Sequence, residues 1–133
     1  MQQTSSKQFQ SPLGRARGLG SSKSGVSHWW VQRVTAVFLF PLTLWFVMVM
    51  LPLLFQAESQ QLLQAFQRLE VAVPAILWNI CLLYHGALGM QVVIEDYVPS
   101  EFGKLVGIIL IKGLSVGLMV LGNLAILKLF LVH

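Results

Sequence analysis

The sequence predicts an all-α integral membrane protein that crosses the bilayer three times. Of its 133 residues, 56% are hydrophobic and 11% are charged, and the mean hydropathy is +0.72. A soluble domain of this size rarely reaches such values. Three apolar runs, at about residues 30–55, 71–95 and 104–132, are each long enough to cross about 30 Å of hydrocarbon. Because lipid offers no hydrogen bonds to the backbone, each run is expected to be helical.

A basic polar tail, residues 1–28, precedes the predicted anchor domain, residues 29–133. The tail contains no acidic residue and carries four basic ones, Lys7, Arg15, Arg17 and Lys23. Arg33 adds a fifth positive charge at this end, whereas the first connection, residues 56–70, holds only Arg68. The positive-inside rule therefore predicts an N-terminus in the cytoplasm or its mitochondrial equivalent. A transit sequence is the alternative interpretation of the tail.

The first span contains Pro41 and Pro52, which we interpret as kinks. In the connection that follows, four apolar residues recur at helical spacing: Leu62, Leu63, Phe66 and Leu69. This spacing predicts a short helix lying on the outer membrane surface, with a polar loop as the alternative. The second connection, residues 95–103, then returns to the side of the basic tail. Asp96 and Tyr97 are therefore predicted to face the same compartment as the tail.

Small residues occur along the second and third spans, at Gly86, Gly89, Gly107, Gly113, Gly117 and Gly122. In lipid, helices associate through close packing and polar contacts, and small residues allow a neighbouring helix or a flat cofactor to approach the backbone. We therefore expect this chain to pack with another subunit. Ordinary helix packing is the alternative explanation of these glycines, and Asn79 and Asn123 are interpreted as interhelical contacts.

His85 lies inside the apolar second span, where an imidazole needs a functional or structural reason. Asp96 follows eleven residues later, close to three helical turns and roughly 16 Å along the axis, so both residues share one face. Haem suits a single intramembrane histidine beside glycines, because zinc or copper needs more ligands than the chain offers nearby. His28 and His133 lie at the ends of other spans. A second axial ligand would therefore come from another subunit.

Two segments resemble a known family. They are residues 83–98, with the sequence LYHGALGMQVVIEDYV, and residues 32–36, with the sequence QRVTA. Both are similar to the hydrophobic membrane anchor subunit of succinate dehydrogenase, respiratory complex II. The spacing from His85 to the Asp96-Tyr97 pair is the more specific part of this resemblance. The third span resembles the family only in length and hydropathy.

The resemblance implies that two anchor subunits bind one b-type haem and form a ubiquinone site. An iron–sulfur subunit lies above that site and docks a flavoprotein that oxidises succinate. His85 matches the axial haem ligand, and Arg33 matches an arginine near the haem propionates. Tyr97 matches a tyrosine that binds a quinone carbonyl, and Asp96 is the acid beside it. The other haem histidine belongs to the second anchor subunit.

Three residues keep open interpretations. His28 is a candidate for the propionate side, although an interfacial imidazole next to Trp29 and Trp30 is the alternative. Lys112, roughly 10 Å inside the third span, either faces a propionate or the quinone or extends to the interface. Glu95 either relays protons with Asp96 or is a solvated residue of the connection.

The predicted function is membrane anchoring in a succinate:ubiquinone oxidoreductase, with a haem ligand and part of the quinone site, and no catalysis by this chain alone. An anchor of a quinol:fumarate reductase and a non-redox membrane scaffold or assembly protein are the alternatives. The predicted location is a bacterial cytoplasmic membrane, with the mitochondrial inner membrane as the alternative. Membrane lipid and the three other subunits are the expected partners, and no nucleic acid is expected.

Overall fold

The computed structural model describes residues 23–131, and every secondary-structure element in that range is helical. Helix α1 (Lys23–Trp45) continues through a π-helical turn (Phe46–Met50) into α2 (Leu51–Gln56). Three further helices follow: α3 (Ser59–Phe66), α4 (Leu69–Tyr97) and α5 (Glu101–Leu131). The predictions for residues 1–22 and for His133 lie outside the described residues.

The prediction of three transmembrane helices is confirmed. Three helical stretches are long and apolar enough to cross a membrane: Val26–Gln56, Leu69–Tyr97 and Glu101–Leu131. We compared the most apolar 18-residue stretch of each span. The share of residues buried inside the chain is 28% in the second span and 6% in both the first and the third. The second span, α4, is therefore the central helix of the unit, and the outer helices keep most of their apolar surface for lipid or other subunits.

The second connection is shorter than predicted. Helix α4 continues to Tyr97, and Val98 leaves the helix in an extended conformation because the residue before a proline, here Pro99, is disfavoured in the helical region. The next helix begins at Glu101, and the Gly103 backbone N–H donates to Ser100 Oγ at 3.0 Å, which caps the new N-terminus. The predicted connection over residues 95–103 is wrong by three residues at each end, since the observed one is residues 98–100. Asp96 and Tyr97 lie on the last turn of α4.

Helix α4 packs against α5 through polar and small residues. The Asn79 side-chain amide donates to Asn123 Oδ1 at 3.0 Å and to the Met119 carbonyl at 3.2 Å. A Cβ atom at Gly122 would lie 2.9 Å from the Asn79 amide nitrogen and would push this amide away from its two partners. The interpretation of Asn79 and Asn123 as interhelical contacts is confirmed, and Gly122 is a packing residue.

Helix α4 packs on its other side against α1, and the two helices run antiparallel. Trp78 Nε1 donates to Thr43 Oγ1 at 3.3 Å, and the Trp78 ring stacks on Phe46 with 3.9 Å between centroids. Further along, Thr35 contacts His85. Residue numbers rise along α1 as they fall along α4, so the N-terminal end of α1 lies beside the C-terminal end of α4.

The first span departs from α-helical geometry just before Pro52. Pro52 has no backbone N–H and cannot bond to the Met48 carbonyl four residues earlier. The chain accommodates this with the π-helical turn at Phe46–Met50, which holds one extra residue. Pro41, by contrast, lies within α1, which remains an uninterrupted α-helix.

The predicted short helix between the first two spans is confirmed as α3. A capping box joins Glu58 and Gln61 at its N-terminus. Phe66, only 7% exposed, packs in an apolar cluster with Met50 and Val71. Leu69 begins α4 instead of ending the short helix.

Candidate cofactor site beside His85

His85 lies near the middle of α4 and faces α1. Its Nδ1 atom is 3.0 Å from the Thr35 hydroxyl oxygen, and both side chains are half-buried. No hydrogen bond to the other ring nitrogen, Nε2, is found among residues 23–131. One ring nitrogen of this intramembrane histidine is therefore anchored to the neighbouring helix, and the other is available to a ligand.

An open cavity of about 400 Å³ lies beside this imidazole. Helix α1 supplies most of its wall and α4 the remainder. The lining residues are His28, Trp29, Gln32, Arg33, Ala36, His85 and Val92. The structure thus brings together three of the residues that the sequence predicted for the haem, although they come from different spans.

His28, which lines the cavity, has a buried polar atom without a partner in the described part of the chain. His28 Nε2 is inaccessible to solvent, and no hydrogen-bond partner for it is found in the described part of the chain. A buried polar group left unpaired is unfavourable by about 1–3 kcal/mol. A bound group that hydrogen-bonds to His28 Nε2, after a small shift of the ring toward the cavity, would remove that penalty. This observation favours a ligand-binding role for His28 over an incidental interfacial position.

Arg33 is held in place by an aromatic ring. Its guanidinium carbon lies 5.2 Å from the centroid of the Trp29 ring, within the range of a cation–π interaction. Arg33 has no carboxylate partner among the described residues, where Lys104 and Glu101 form the ion pair. The positive charge of Arg33 thus remains available to an anionic group in the cavity.

These residues fit a haem. A metal at His85 would have to bring most of its own ligands, because no group of three His, Cys, Asp or Glu side chains is close enough to hold an ion within residues 23–131. A porphyrin does bring them, and leaves axial positions for imidazole nitrogens. Arg33 and His28 offer a cation and a donor for the carboxylates of the same group. Gly86, next to His85, has nothing within 4 Å of an added Cβ, so its face is open to a flat ring or another subunit.

Asp96 and Tyr97 do not line this cavity. Both are exposed at the C-terminal end of α4, with Tyr97 81% exposed. The continuous helix from His85 to Asp96 supports the predicted shared face and places Asp96 roughly 16 Å along the axis. The neighbouring Glu95 accepts a hydrogen bond from Gln91 at 2.7 Å. A pocket around Tyr97 would need walls from another chain.

Lys112 lies away from the His85 cavity. It lines a separate space of about 310 Å³ between α4 and α5, together with Tyr84 and Ser115. Within this chain, Lys112 and His85 therefore face different cavities.

Thr35 is the site residue that the sequence interpretation missed. Thr35 and Thr43 are the two threonines of the first span, and each contacts a polar side chain of α4. The tendency of intramembrane polar side chains to bond across helices was the available signal. That tendency does not say which residue of α4 each threonine meets.

Comparisons with known proteins agree on one family. Residues 7–127 match the family described as succinate dehydrogenase/fumarate reductase transmembrane subunit. A succinate dehydrogenase hydrophobic membrane anchor subunit from Rickettsia bellii (strain RML369-C) is 34% identical over 108 residues, covering 81% of this chain and 86% of the relative. A succinate dehydrogenase membrane anchor subunit from Reclinomonas americana is 30% identical over 100 residues, covering 74% and 83%.

A third relative carries the same description as the Rickettsia protein. The succinate dehydrogenase hydrophobic membrane anchor subunit of Paracoccus denitrificans is 33% identical over 93 residues, covering 70% of this chain and 71% of the relative. No solved structure matches the chain with statistical significance.

Proposed function

From the premise that this chain belongs to the succinate dehydrogenase/fumarate reductase transmembrane subunit family, we propose that it anchors a succinate:ubiquinone oxidoreductase. In this proposal it supplies one axial ligand of a b-type haem and part of the ubiquinone-reduction site. As an anchor subunit it works in a complex with other subunits, and its three apolar helices make it a multi-pass membrane protein.

One observation carries the haem assignment: a single cavity is lined by His85, whose Nε2 atom has no partner in the described chain, and by His28, whose buried Nε2 atom also has none there. Bound there, a b-type haem supplies a one-electron redox centre within the membrane. His85 would hold the iron, while Arg33 and His28 would hold the propionate side. Because α1 and α4 are antiparallel, these two residues lie toward the same end of the bundle as Tyr97.

The quinone site is proposed at that end of α4. Tyr97 presents a phenol hydroxyl at the end of an apolar helix, where it can donate a hydrogen bond to a quinone carbonyl. Reduction of the quinone to a quinol takes two electrons and two protons. Asp96, exposed beside Tyr97, could exchange protons with the aqueous phase. The exposure of both residues supports a second anchor subunit as the other wall.

The proposed partners are a second anchor subunit, an iron–sulfur subunit and a flavoprotein subunit, in a bacterial cytoplasmic membrane. The relatives from Rickettsia and Paracoccus favour a bacterial location. The family description also names fumarate reductase, so an anchor that works in the direction of fumarate reduction is the second candidate. The anchor subunits compared above are named for succinate dehydrogenase, which favours the first.

Purification through a tag on this chain, in mild detergent, tests the proposal. We expect a flavoprotein, an iron–sulfur subunit and a second anchor to co-purify, and a reduced-minus-oxidised spectrum to contain b-type bands. The purified complex should reduce ubiquinone with succinate faster than it reduces fumarate with a low-potential quinol. If fumarate reduction is the faster of the two reactions, the fumarate reductase is favoured instead. A chain that purifies without redox subunits and without b-type bands would contradict the proposal and support a scaffold.

Arg33→Leu is expected to lower the midpoint potential of the b-type haem. Removing a nearby cation favours the oxidised centre, which carries one more positive charge. A charge interaction of about 1–2 kcal/mol, typical of a partly solvated site with an effective dielectric constant of about 20, corresponds to a shift of several tens of millivolts for one electron. Redox potentiometry of the purified complex measures this shift.

Arg33→Lys is the matched control, because it keeps the charge and loses the planar contact with Trp29. Its potential should stay closer to that of the unmodified complex than the potential of Arg33→Leu does. If the unmodified complex, Arg33→Leu and Arg33→Lys have the same haem midpoint potential, Arg33 does not lie near the haem. It would then be an ordinary positive-inside residue.

A further inference from the structure

The hydroxyl of Thr35 makes three short polar contacts. Its oxygen lies 2.9 Å from the Val31 carbonyl oxygen, 3.1 Å from the Gln32 carbonyl oxygen and 3.0 Å from Nδ1 of His85. Both carbonyl oxygens can only accept hydrogen bonds, and the hydroxyl has one proton to donate. The three contacts therefore limit where the protons can lie.

The short distance to Val31 decides the position of the hydroxyl proton. Two oxygen atoms at 2.9 Å repel each other through their lone pairs unless a proton lies between them. The Thr35 proton therefore points at the carbonyls of its own helix, as it does for many threonines within helices. What Thr35 then presents to His85 is a lone pair. The 3.0 Å contact is a hydrogen bond only if His85 Nδ1 carries the proton and donates it.

We propose that Thr35 is a positioning residue that holds His85 in the tautomer protonated at Nδ1, so that the Nε2 lone pair is directed to the haem iron. This inference rests on the proposed function, because it assumes that His85 is the axial ligand. A neutral imidazole binds metal through its unprotonated nitrogen, and the hydrogen bond made by the other nitrogen sets which one that is. The contact exists in the chain itself and so orients the ring before the haem arrives.

A second observation agrees with this tautomer. Nε2 makes no hydrogen bond within the described residues, and His85 lines the 400 Å³ cavity. The opposite tautomer would leave an N–H donor unpaired at Nε2 and would set Nδ1 against an oxygen whose proton is already used. The tautomer required by the Thr35 contact is therefore also the one that leaves a metal-binding lone pair at the cavity.

Thr35→Val and Thr35→Ser test the inference in the purified complex. Valine keeps the branched shape of threonine but removes the oxygen, whereas serine keeps the oxygen. Loss of an outer hydrogen bond of this kind typically weakens metal binding about 10- to 100-fold. We expect haem transfer from Thr35→Val to excess apomyoglobin to be faster by a similar factor, and Thr35→Ser to behave like the unmodified complex.

The haem midpoint potential provides a readout that a packing role would not change. Donation from Nδ1 makes the imidazole a stronger electron donor and favours oxidised iron. Its loss in Thr35→Val should therefore raise the potential, opposite in sign to the shift expected for Arg33→Leu. Thr35→Ser should restore the original potential. The EPR signal of the low-spin ferric haem should change in Thr35→Val and recover in Thr35→Ser.

Each remaining outcome separates this inference from the function on which it rests. If His85→Leu leaves the haem unchanged, the axial-ligand assignment fails, and the role of Thr35 fails with it. If His85→Leu removes the haem while Thr35→Val keeps the original potential and transfer rate, only the role of Thr35 is overturned. A lower yield of Thr35→Val complex with an unchanged potential would show that Thr35 contributes to packing alone, and would also overturn it.

Discussion

His85→Leu is expected to abolish the b-type bands of the complex. Leucine fills a similar volume in the lipid-facing bundle but offers no lone pair to iron. Removing a group that only hydrogen-bonds to a metal ligand weakens metal binding about 10- to 100-fold. Removing the ligand itself should weaken haem binding by more than this. The remaining contacts of α4, through Asn79 and Trp78, do not depend on His85, so the subunits should still assemble. Haem content per flavoprotein, measured after purification, gives the result.

His85→Gly provides the matched control. It should also lose the haem, and added imidazole should restore part of the b-type spectrum by entering the space that the side chain leaves. Gly86 beside it already faces open space, which favours such access. A normal spectrum in His85→Leu, or a loss that imidazole does not reverse while the subunits dissociate, would contradict the ligand assignment and point to a helix-packing role for His85.

Tyr97→Phe is expected to slow ubiquinone reduction roughly five- to a hundred-fold. The change keeps the ring and removes only the hydroxyl, and losing one hydrogen bond to a reacting oxygen typically costs about 1–3 kcal/mol. Succinate oxidation with a dye that accepts electrons before the quinone should stay near normal, and so should the haem spectrum. Tyr97 is 81% exposed and no hydrogen bond of its hydroxyl occurs within residues 23–131, so the folded chain should lose little stability.

The second tyrosine of the chain is a natural control. Tyr84 lies on the same helix but lines the cavity with Lys112 and Ser115. Tyr84→Phe should therefore leave ubiquinone reduction unchanged. If Tyr97→Phe lowers both the dye and the quinone activities, the hydroxyl supports assembly instead. If it lowers neither, the quinone binds to other residues.

Hydropathy and length were sufficient to predict the three spans, because the bilayer sets the length of an apolar helix. They could not locate the ends of α4 and α5. The end of α4 depends on Pro99, and the start of α5 depends on the Ser100 cap, so polar residues such as Asp96 can remain helical. The interhelical role of Asn79 could be anticipated, since an amide in lipid requires a partner.

The site could be predicted only in part for a similar reason. His85 could be selected from its residue type and its depth in the span, and Arg33 from the family resemblance. The structure brings both to one cavity. Thr35 could not, because its role depends on the register of α1 against α4, and hydropathy does not encode that register. The surroundings of Tyr97 depend on atoms of another subunit, which the sequence of this chain does not contain.

The π-helical turn at Phe46–Met50 has a consequence for how the chain can change in length. An extra residue in one turn rotates everything after it by about 100°. Deleting or inserting one residue within this turn would rotate Leu51–Gln56 and would also disturb the contacts of Phe46 and Met50 with α4 and α3. The register of Thr35 and Thr43 against α4 would be preserved, because both lie before the turn. A change of length at this turn therefore alters the packing at the C-terminal end of the first span and leaves the histidine contact in register.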